Sequence, residues 1–338
     1  MDRPPPQARH PKGGRMNRIN PKFIPLIATS AVLLALYIAG CVLYPNFASL
    51  RVLINLFGDN AFIGVAAIGT TFVILSGGID LSVGSVISFT TILIAVLIGS
   101  GTPPLPAIGI ALVVGTAFGV LQGWLIRTFK LPPFLVTLAG MFFMRGLAFV
   151  VREESLAIKH PFFSQTIREM TIQIAPKASI PFTATCLVLA VVIATIIADY
   201  TKFGRNVYAI GSNEQSALLM GIPVGRTTLG VYGLAGFFAA LGGVVATFYM
   251  QSGNPASFAG LELDAIAAVV IGGTLLTGGV GFIPGTLMGV LILGVIQTLI
   301  MFQGDLNTWW TRIAIGVLLL LFIVLQKAIT RTRQTAAH

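Results

Sequence analysis

The chain has 338 residues, 55% of them hydrophobic and 9% charged, with 38 glycines and a formal net charge of +10. Soluble domains carry roughly 25% charged residues, so this composition excludes an ordinary soluble protein and points to an integral membrane protein. The positive balance does not indicate nucleic acid, because no basic stripe interleaved with aromatics occurs. Lys and Arg collect between apolar runs instead, as they do in the cytoplasmic segments of membrane proteins.

Residues 1–22 hold Arg3, Arg9, Lys12, Arg15, Arg18 and Lys22 among prolines, and read as a basic, disordered cytoplasmic tail. Met16 is an alternative start, which makes the preceding residues dispensable. The runs 23–50, 60–79, 81–126, 227–261 and 265–304 contain no Asp, Glu, Lys, Arg or His. A spanning helix needs about 20 apolar residues, so the longest runs each hold two spans, or a span plus a re-entrant piece. Run lengths and charge gaps predict ten spans, at 24–44, 60–77, 83–100, 105–126, 133–151, 181–198, 229–250, 263–280, 282–302 and 309–326. Gly272-Gly273 and Gly278-Gly279 interrupt the eighth, so it reads as a span or a re-entrant segment. The whole forms one membrane domain over 23–330 with a short tail at 331–338. Ile38-Ala39-Gly40-Cys41 superficially resembles a lipoprotein processing site, but it reads as part of an uncleaved first helix.

Ten spans place both termini on one side of the membrane. Arg127, Lys130, Lys202, Arg205, Arg226, Lys327, Arg331 and Arg333 fall on that same side, which the positive-inside rule makes the cytoplasm. Residues 152–180 then lie outside. They are long enough for one or two surface helices, and their mixed charge suits either a soluble partner or a solvated connector.

The 199–228 loop is a polar, glycine-bracketed island. From Gly204, Arg205, Tyr208 and Gly211 it runs into Ser212, Asn213, Glu214, Gln215, Ala217, Leu218 and Met220, and closes at Gly221 and Pro223. The pattern predicts one short helix. Ser212 is its cap, Gln215 reaches back to it, and Asn213 and Glu214 complement the free N–H groups of the first turn. Gly221 ends the helix. A rod of about 8 residues, roughly 12 Å long, suits a groove in a partner.

Gly115, Gly119, Gly123, Gly285 and Gly289 stand at four-residue spacing, which lets helix backbones approach closely in lipid. Gly77-Gly78-Ile79-Asp80 and Gly272-Gly273-Thr274 occupy corresponding places in two halves, a weak internal symmetry of a kind common in transporters. Asp80 reads either as a cap for the third span or as a functional ionisable group. Arg145 reads either as a residue snorkelling to the outer interface or as the partner of Glu262 or Asp264. Trp309, Trp310 and Arg312 read as an interfacial anchor. Asp80, Asn60, Arg145, Asp264 and Gln297 are candidates for a pathway or gate, and Asn55 could also line a path, although interhelical hydrogen bonds are the commoner use of polar residues such as Asn60, Asn55 and Gln297. No phosphate-binding Gly-Lys motif, metal-ligand grouping or nucleophile with its base occurs, so enzymatic chemistry is not expected.

Four segments together carry a resemblance. They are Gly77 to Ser85; Pro133-Phe134 with Thr137-Leu138 and Arg145-Gly146; Gly204-Arg205 with Tyr208 to Gly211; and Ala268 to Thr274. In this order they resemble the permease subunits of bacterial sugar ABC importers of the ribose type. Val151 to Ser155, Leu263 to Ile266 and Trp309 to Thr311 are most similar to the permeases of galactofuranose importers. The resemblance implies an all-α, type II importer fold of ten transmembrane helices and a related sister permease forming a heterodimer. It further implies cytoplasmic ATPases that hold ATP and Mg, a periplasmic sugar-binding protein, and a coupling helix over Asn213 to Met220. The residue-level alternative is an ion-coupled secondary transporter of a small polar solute. Such a protein ordinarily carries acids at mid-membrane, whereas here the acids are expected at span ends.

Overall fold

The computed structural model describes residues 24–175, 178–304 and 309–335. The basic tail over 1–22 and the last residues, 336–338, therefore lie outside the described residues. In chain order the elements are α1 (Ile24–Leu43), α2 (Leu50–Asp59), α3 (Ala61–Leu75), α4 (Val83–Gly99), α5 (Pro104–Phe129), α6 (Pro133–Val151), β1 (Leu156–Ala157) and α7 (Pro161–Glu169). There follow β2 (Ile172–Ala175), β3 (Ala178–Ile180), α8 (Phe182–Tyr200), α9 (Lys202–Ser212), α10 (Glu214–Leu219), α11 (Val224–Met250), β4 (Ser252–Gly253), α12 (Leu261–Ile271), α13 (Ile283–Gln303) and α14 (Trp309–Thr335).

Helix starts follow local chemistry. Proline occupies the first turn of α5, α6 and α13, where its missing N–H costs nothing. Ser49, Thr201 and Asn213 cap α2, α9 and α10 through their side-chain oxygens.

α3 and α11 form the centre, and both are apolar around their whole circumference. α11 lies along α5 because Gly119 leaves space for the Tyr232 carbonyl and Gly236 for the Gly115 carbonyl. On the other flank Gly285 admits the Gly272 carbonyl and Gly289 the Ala268 carbonyl, seating α13 against α12. The four-residue glycine spacing thus does what lipid-embedded packing requires.

Each of the ten segments expected to span contains a helix, but the count of about ten spans is not confirmed. Among the described residues six helices are long and apolar enough to cross a membrane, or seven if α2 and α3, bent by 53° at Asn60, form one span. α4 and the apolar part of α14, Trp309–Val324, are shorter. α12 has 11 residues and stops at Gly272-Gly273, where a left-handed Gly273 (φ +94°) turns the chain. Of the two readings of 263–280, the structure therefore gives a short helix followed by a loop. Nor is the chain wholly helical. Among the described residues, 152–180 hold one helix and three short strands: β2 pairs antiparallel with β3, and β1 pairs antiparallel with β4, which follows α11.

Candidate functional site

At one end of the bundle three segments meet. Gly279 donates its backbone N–H to the Leu75 carbonyl at 2.9 Å, joining the loop after α12 to the end of α3. Gly211, near the end of α9, lies against both the Leu75 carbonyl and the Gly279 nitrogen, with no room for a methyl group. Gly278 packs on the backbone of Gly77, and Gly77, Gly278 and Gly279 all have positive φ. Tyr208 reinforces the junction by donating from Oη to the Gly281 carbonyl at 3.0 Å. Burial, with the Asp199 charge as a smaller cause, pushes the Tyr208 phenol up to about 12, so it is a donor across the physiological range.

The internal symmetry is visible in the hydrogen bonds themselves. Gly77 N bonds the Ile74 carbonyl and Gly78 N the Val73 carbonyl; Gly273 N bonds Val270 and Thr274 N bonds Val269 in the same three- and five-residue pattern. Both are glycine-terminated helix ends of one type.

The expected single helix is two. α9 starts at Thr201, whose Oγ1 accepts from Gly204 N at 3.1 Å, and Gly204 is pressed on the Ala198 carbonyl. Asn213 then takes an extended conformation (φ −166°, ψ 109°) and starts α10, accepting from Ser216 N at 2.8 Å. Ser212 is not the cap. Its hydroxyl donates back to the Tyr208 carbonyl at 2.9 Å, because Ser212 still belongs to α9. Glu214 stands in the first turn of α10, as expected, and Gly221 (φ +79°) ends it through bonds from Gly221 N to Leu218 and from Ile222 N to Ala217. Ala217 is buried, while Leu218, Leu219 and Met220 are 63%, 88% and 70% exposed. α10 therefore presents an apolar ridge outward, beside the exposed Arg205, Glu214 and Gln215.

Behind α10 lies a cleft of about 700 Å³, bounded by Gly77, Arg127, Lys130, Glu214, Leu218 and Tyr232. It separates α10 from the α5–α6 connection, where Lys130 takes a left-handed conformation (φ 52°). Deeper in, Asp80 is 2% exposed and accepts through Oδ1 from both the backbone N and the Oγ of Ser82, each at 2.7 Å. This corrects the cap reading. Ser82 is the residue before α4, and the Asp80 carboxylate closes a turn ahead of the helix, not the helix end. Ser82 Oγ also lies 3.3 Å from Gln122 Oε1, and the Tyr232 hydroxyl faces Gly78.

The other candidates scatter. Asn60 is buried and donates to the Leu56 carbonyl at 2.9 Å, beside Gly294 of α13. Asn55 and Gln297 are exposed on α2 and α13. Arg145 neither snorkels free nor forms an ion pair with the acids expected for it. Its Nη1 donates to Ser88 Oγ (2.8 Å), the Pro255 carbonyl (3.0 Å) and the Ser257 carbonyl (2.6 Å). Asp264 pairs instead with Arg312 at 3.2 Å, so Arg312 is more than an interfacial anchor. Sequence reasoning missed α2 and the separate α9. Thr201 ahead of Gly204 was an available start signal for α9. Among the described residues no three His, Cys, Asp or Glu side chains could hold a metal ion together.

Comparison with known proteins agrees with this architecture. The chain is 49% identical to the inner membrane ABC transporter permease protein YjfF of Escherichia coli K12 over 91% of its length and 93% of that protein. It is 38% identical to the ribose import permease protein RbsC of Bacillus subtilis (87% and 90% covered). It is 35% identical to the fructose import permease protein FruG of Bifidobacterium longum (94% of each). No solved structure matches it. Residues 52–323 match the family model described as branched-chain amino acid transport system / permease component, and the chain belongs to that family of membrane permeases.

Proposed function

We propose that this chain is the membrane conduit of an ATP-driven importer of a monosaccharide, galactofuranose or a related sugar. The names of several relatives support sugar over amino acid, since they state fructose, ribose or xylose. In this reading a related sister permease completes the conduit as a heterodimer. ATP and Mg bind to a separate cytoplasmic ATPase chain, and a periplasmic binding protein delivers the sugar, partly onto 152–180. The basic end of the bundle faces the cytoplasm with both termini.

The observation that carries the proposal is the mounting of α10. Its apolar ridge faces outward while its base is fixed, through α9, to the Gly211–Leu75–Gly279 junction. A push on Leu218, Leu219 and Met220 therefore moves the ends of α3 and α12 together, because the backbone contacts at the junction leave no slack. The same push widens or narrows the cleft between α10 and Arg127–Lys130. Close-packed helices respond to such a load by switching between discrete packings, not by bending smoothly. Catalysis is thereby left to the partner, and this chain converts its stroke into a change of access.

Uptake into vesicles containing the assembled transporter tests the reading. ATP depletion is expected to stop uptake and an uncoupler to leave it intact. The reverse result identifies an ion-coupled transporter and overturns the proposal.

A further inference from the structure

Charged side chains are rare in the apolar helices, yet four of them gather around one non-helical segment, 254–260: Arg145 of α6, Glu262 and Asp264 of α12, and Arg312 of α14. Arg145 holds the Pro255 and Ser257 carbonyls. Glu262 Oε1 accepts from Gly260 N at 3.1 Å, and the residue lies within electrostatic reach of both Arg145 and Asp264. Glu262 Oε2 is buried with no hydrogen-bond partner among the described residues. Asp264 closes the series on Arg312. Two positive and two negative groups thus form a neutral belt.

Its depth follows from helix register. Gly272 meets Gly285 and Ala268 meets Gly289, so α12 runs antiparallel to α13. Its first turn, Leu261 to Asp264, therefore lies about 7 to 10 residues, roughly 10–15 Å, short of the far end of α13. That is a third to a half of the way into a hydrocarbon core of about 30 Å. The chain reaches this depth without helix: Gly253 packs on the backbone of Thr91 and Ile92, and Ser257 on Ser88. Irregular backbone at such depth is tolerated where it is buried in protein or lines a watered cavity. The belt also opens outward. The Arg312 side chain is 46% exposed, Asp264 20% and Leu263 59%. Lipid does not solvate a half-exposed guanidinium, so this face looks onto water or onto a wet interface.

We propose that the face bearing Asp264, Arg312 and Leu263 lines the conduit, and that the belt is the polar step at which an uncharged, polyhydroxylated solute is passed. This rests on the importer reading above and names the residues that meet the cargo. A guanidinium paired to a carboxylate offers donors and acceptors side by side, which suits adjacent sugar hydroxyls. The zero net charge gives no preference to an ion. The exposed pair can exchange partners with a passing hydroxyl and re-form behind it, a weak site of the kind conduction needs.

The test uses the assembled transporter in proteoliposomes, carrying Cys41→Ser and Cys186→Ser, with galactose (whose aqueous solution includes galactofuranose), ribose, fructose and xylose as cargo probes. A membrane-impermeant methanethiosulfonate is expected to modify Leu263→Cys, and the transported sugar is expected to slow that modification. Asp264→Asn is expected to lower uptake about tenfold or more, the scale of one lost charge-assisted contact, while keeping the ATPase response to the binding protein. No modification in an assembly that still takes up sugar places this face in lipid and overturns the proposal. So does modification that sugar leaves unchanged together with normal uptake by Asp264→Asn. A wild-type assembly that imports none of the probes on ATP overturns the importer reading and the solute class with it. Modification of Leu263→Cys still decides, in that case, whether the face is wet.

Discussion

Gly211 and Leu75 touch backbone to backbone: the Leu75 carbonyl occupies the space a β-carbon at residue 211 would need, and the same carbonyl accepts from Gly279 N at 2.9 Å. One oxygen thereby joins α9, the end of α3 and the loop after α12. Gly211→Val is expected to separate them. Binding-protein-dependent uptake falls about tenfold or more, since the clash is with backbone that cannot rotate away, the overpacking case that costs about 1–3 kcal/mol. Membrane insertion, checked by fractionation and protease protection, is unaffected.

α10 is short and depends on its cap. Asn213→Ala removes the acceptor for Ser216 N and is expected to cost about 1 kcal/mol of helix stability, while Ser212→Ala, whose hydroxyl only bonds back to Tyr208, is milder. Hydrogen exchange over 213–221 measures both, and the order Asn213→Ala above Ser212→Ala is the informative result.

Glu214→Arg places a positive charge at the N-terminal turn of α10 and beside Arg127 and Lys130 across the cleft. A glycine inserted after Ala217 rotates the Leu218–Met220 ridge away from its outward direction. Each is expected to abolish uptake and ATPase stimulation in protein that still inserts.

Tyr208→Phe removes the bond to the Gly281 carbonyl and is expected to cost about 1 kcal/mol at the junction. Because the folded-state phenol titrates near 12, above its ordinary 10.0, its stabilising contribution is complete below pH 10 and lost as pH rises towards 12. Thermal unfolding of the wild type in detergent should therefore steepen in its pH dependence above pH 10, and Tyr208→Phe should lack that component.

The apolar runs announced the helices well, because a long apolar run is a strong chemical signal, and each expected segment contains a helix, though not each a full span. What composition could not convey was where a run is helical only in part. The 265–304 run is uniformly apolar, yet Gly273, Gly278 and Gly279 adopt positive φ and break it into α12, a loop and α13. The symmetry between Gly77 and Gly273 was weakly written in sequence, since glycines match cheaply, but their twin hydrogen-bond patterns make it plain. Around α10 the stop signal was read correctly and the start was displaced by one residue. Ser212 and Asn213 are both good caps, and only the length of α9 decides between them. The partners of Arg145 and Asp264 come from α4, the 254–260 segment and α14, tertiary neighbours that no local pattern encodes.

Transport by purified components is the most direct measurement of the central claim, that this chain conducts while a separate ATPase drives it through α10. Proteoliposomes holding the complete assembly should accumulate sugar only with ATP and binding protein present, and the Glu214→Arg assembly should not accumulate it at all. Full-rate uptake by this chain reconstituted alone, or an unchanged rate in the Glu214→Arg assembly, would contradict the account.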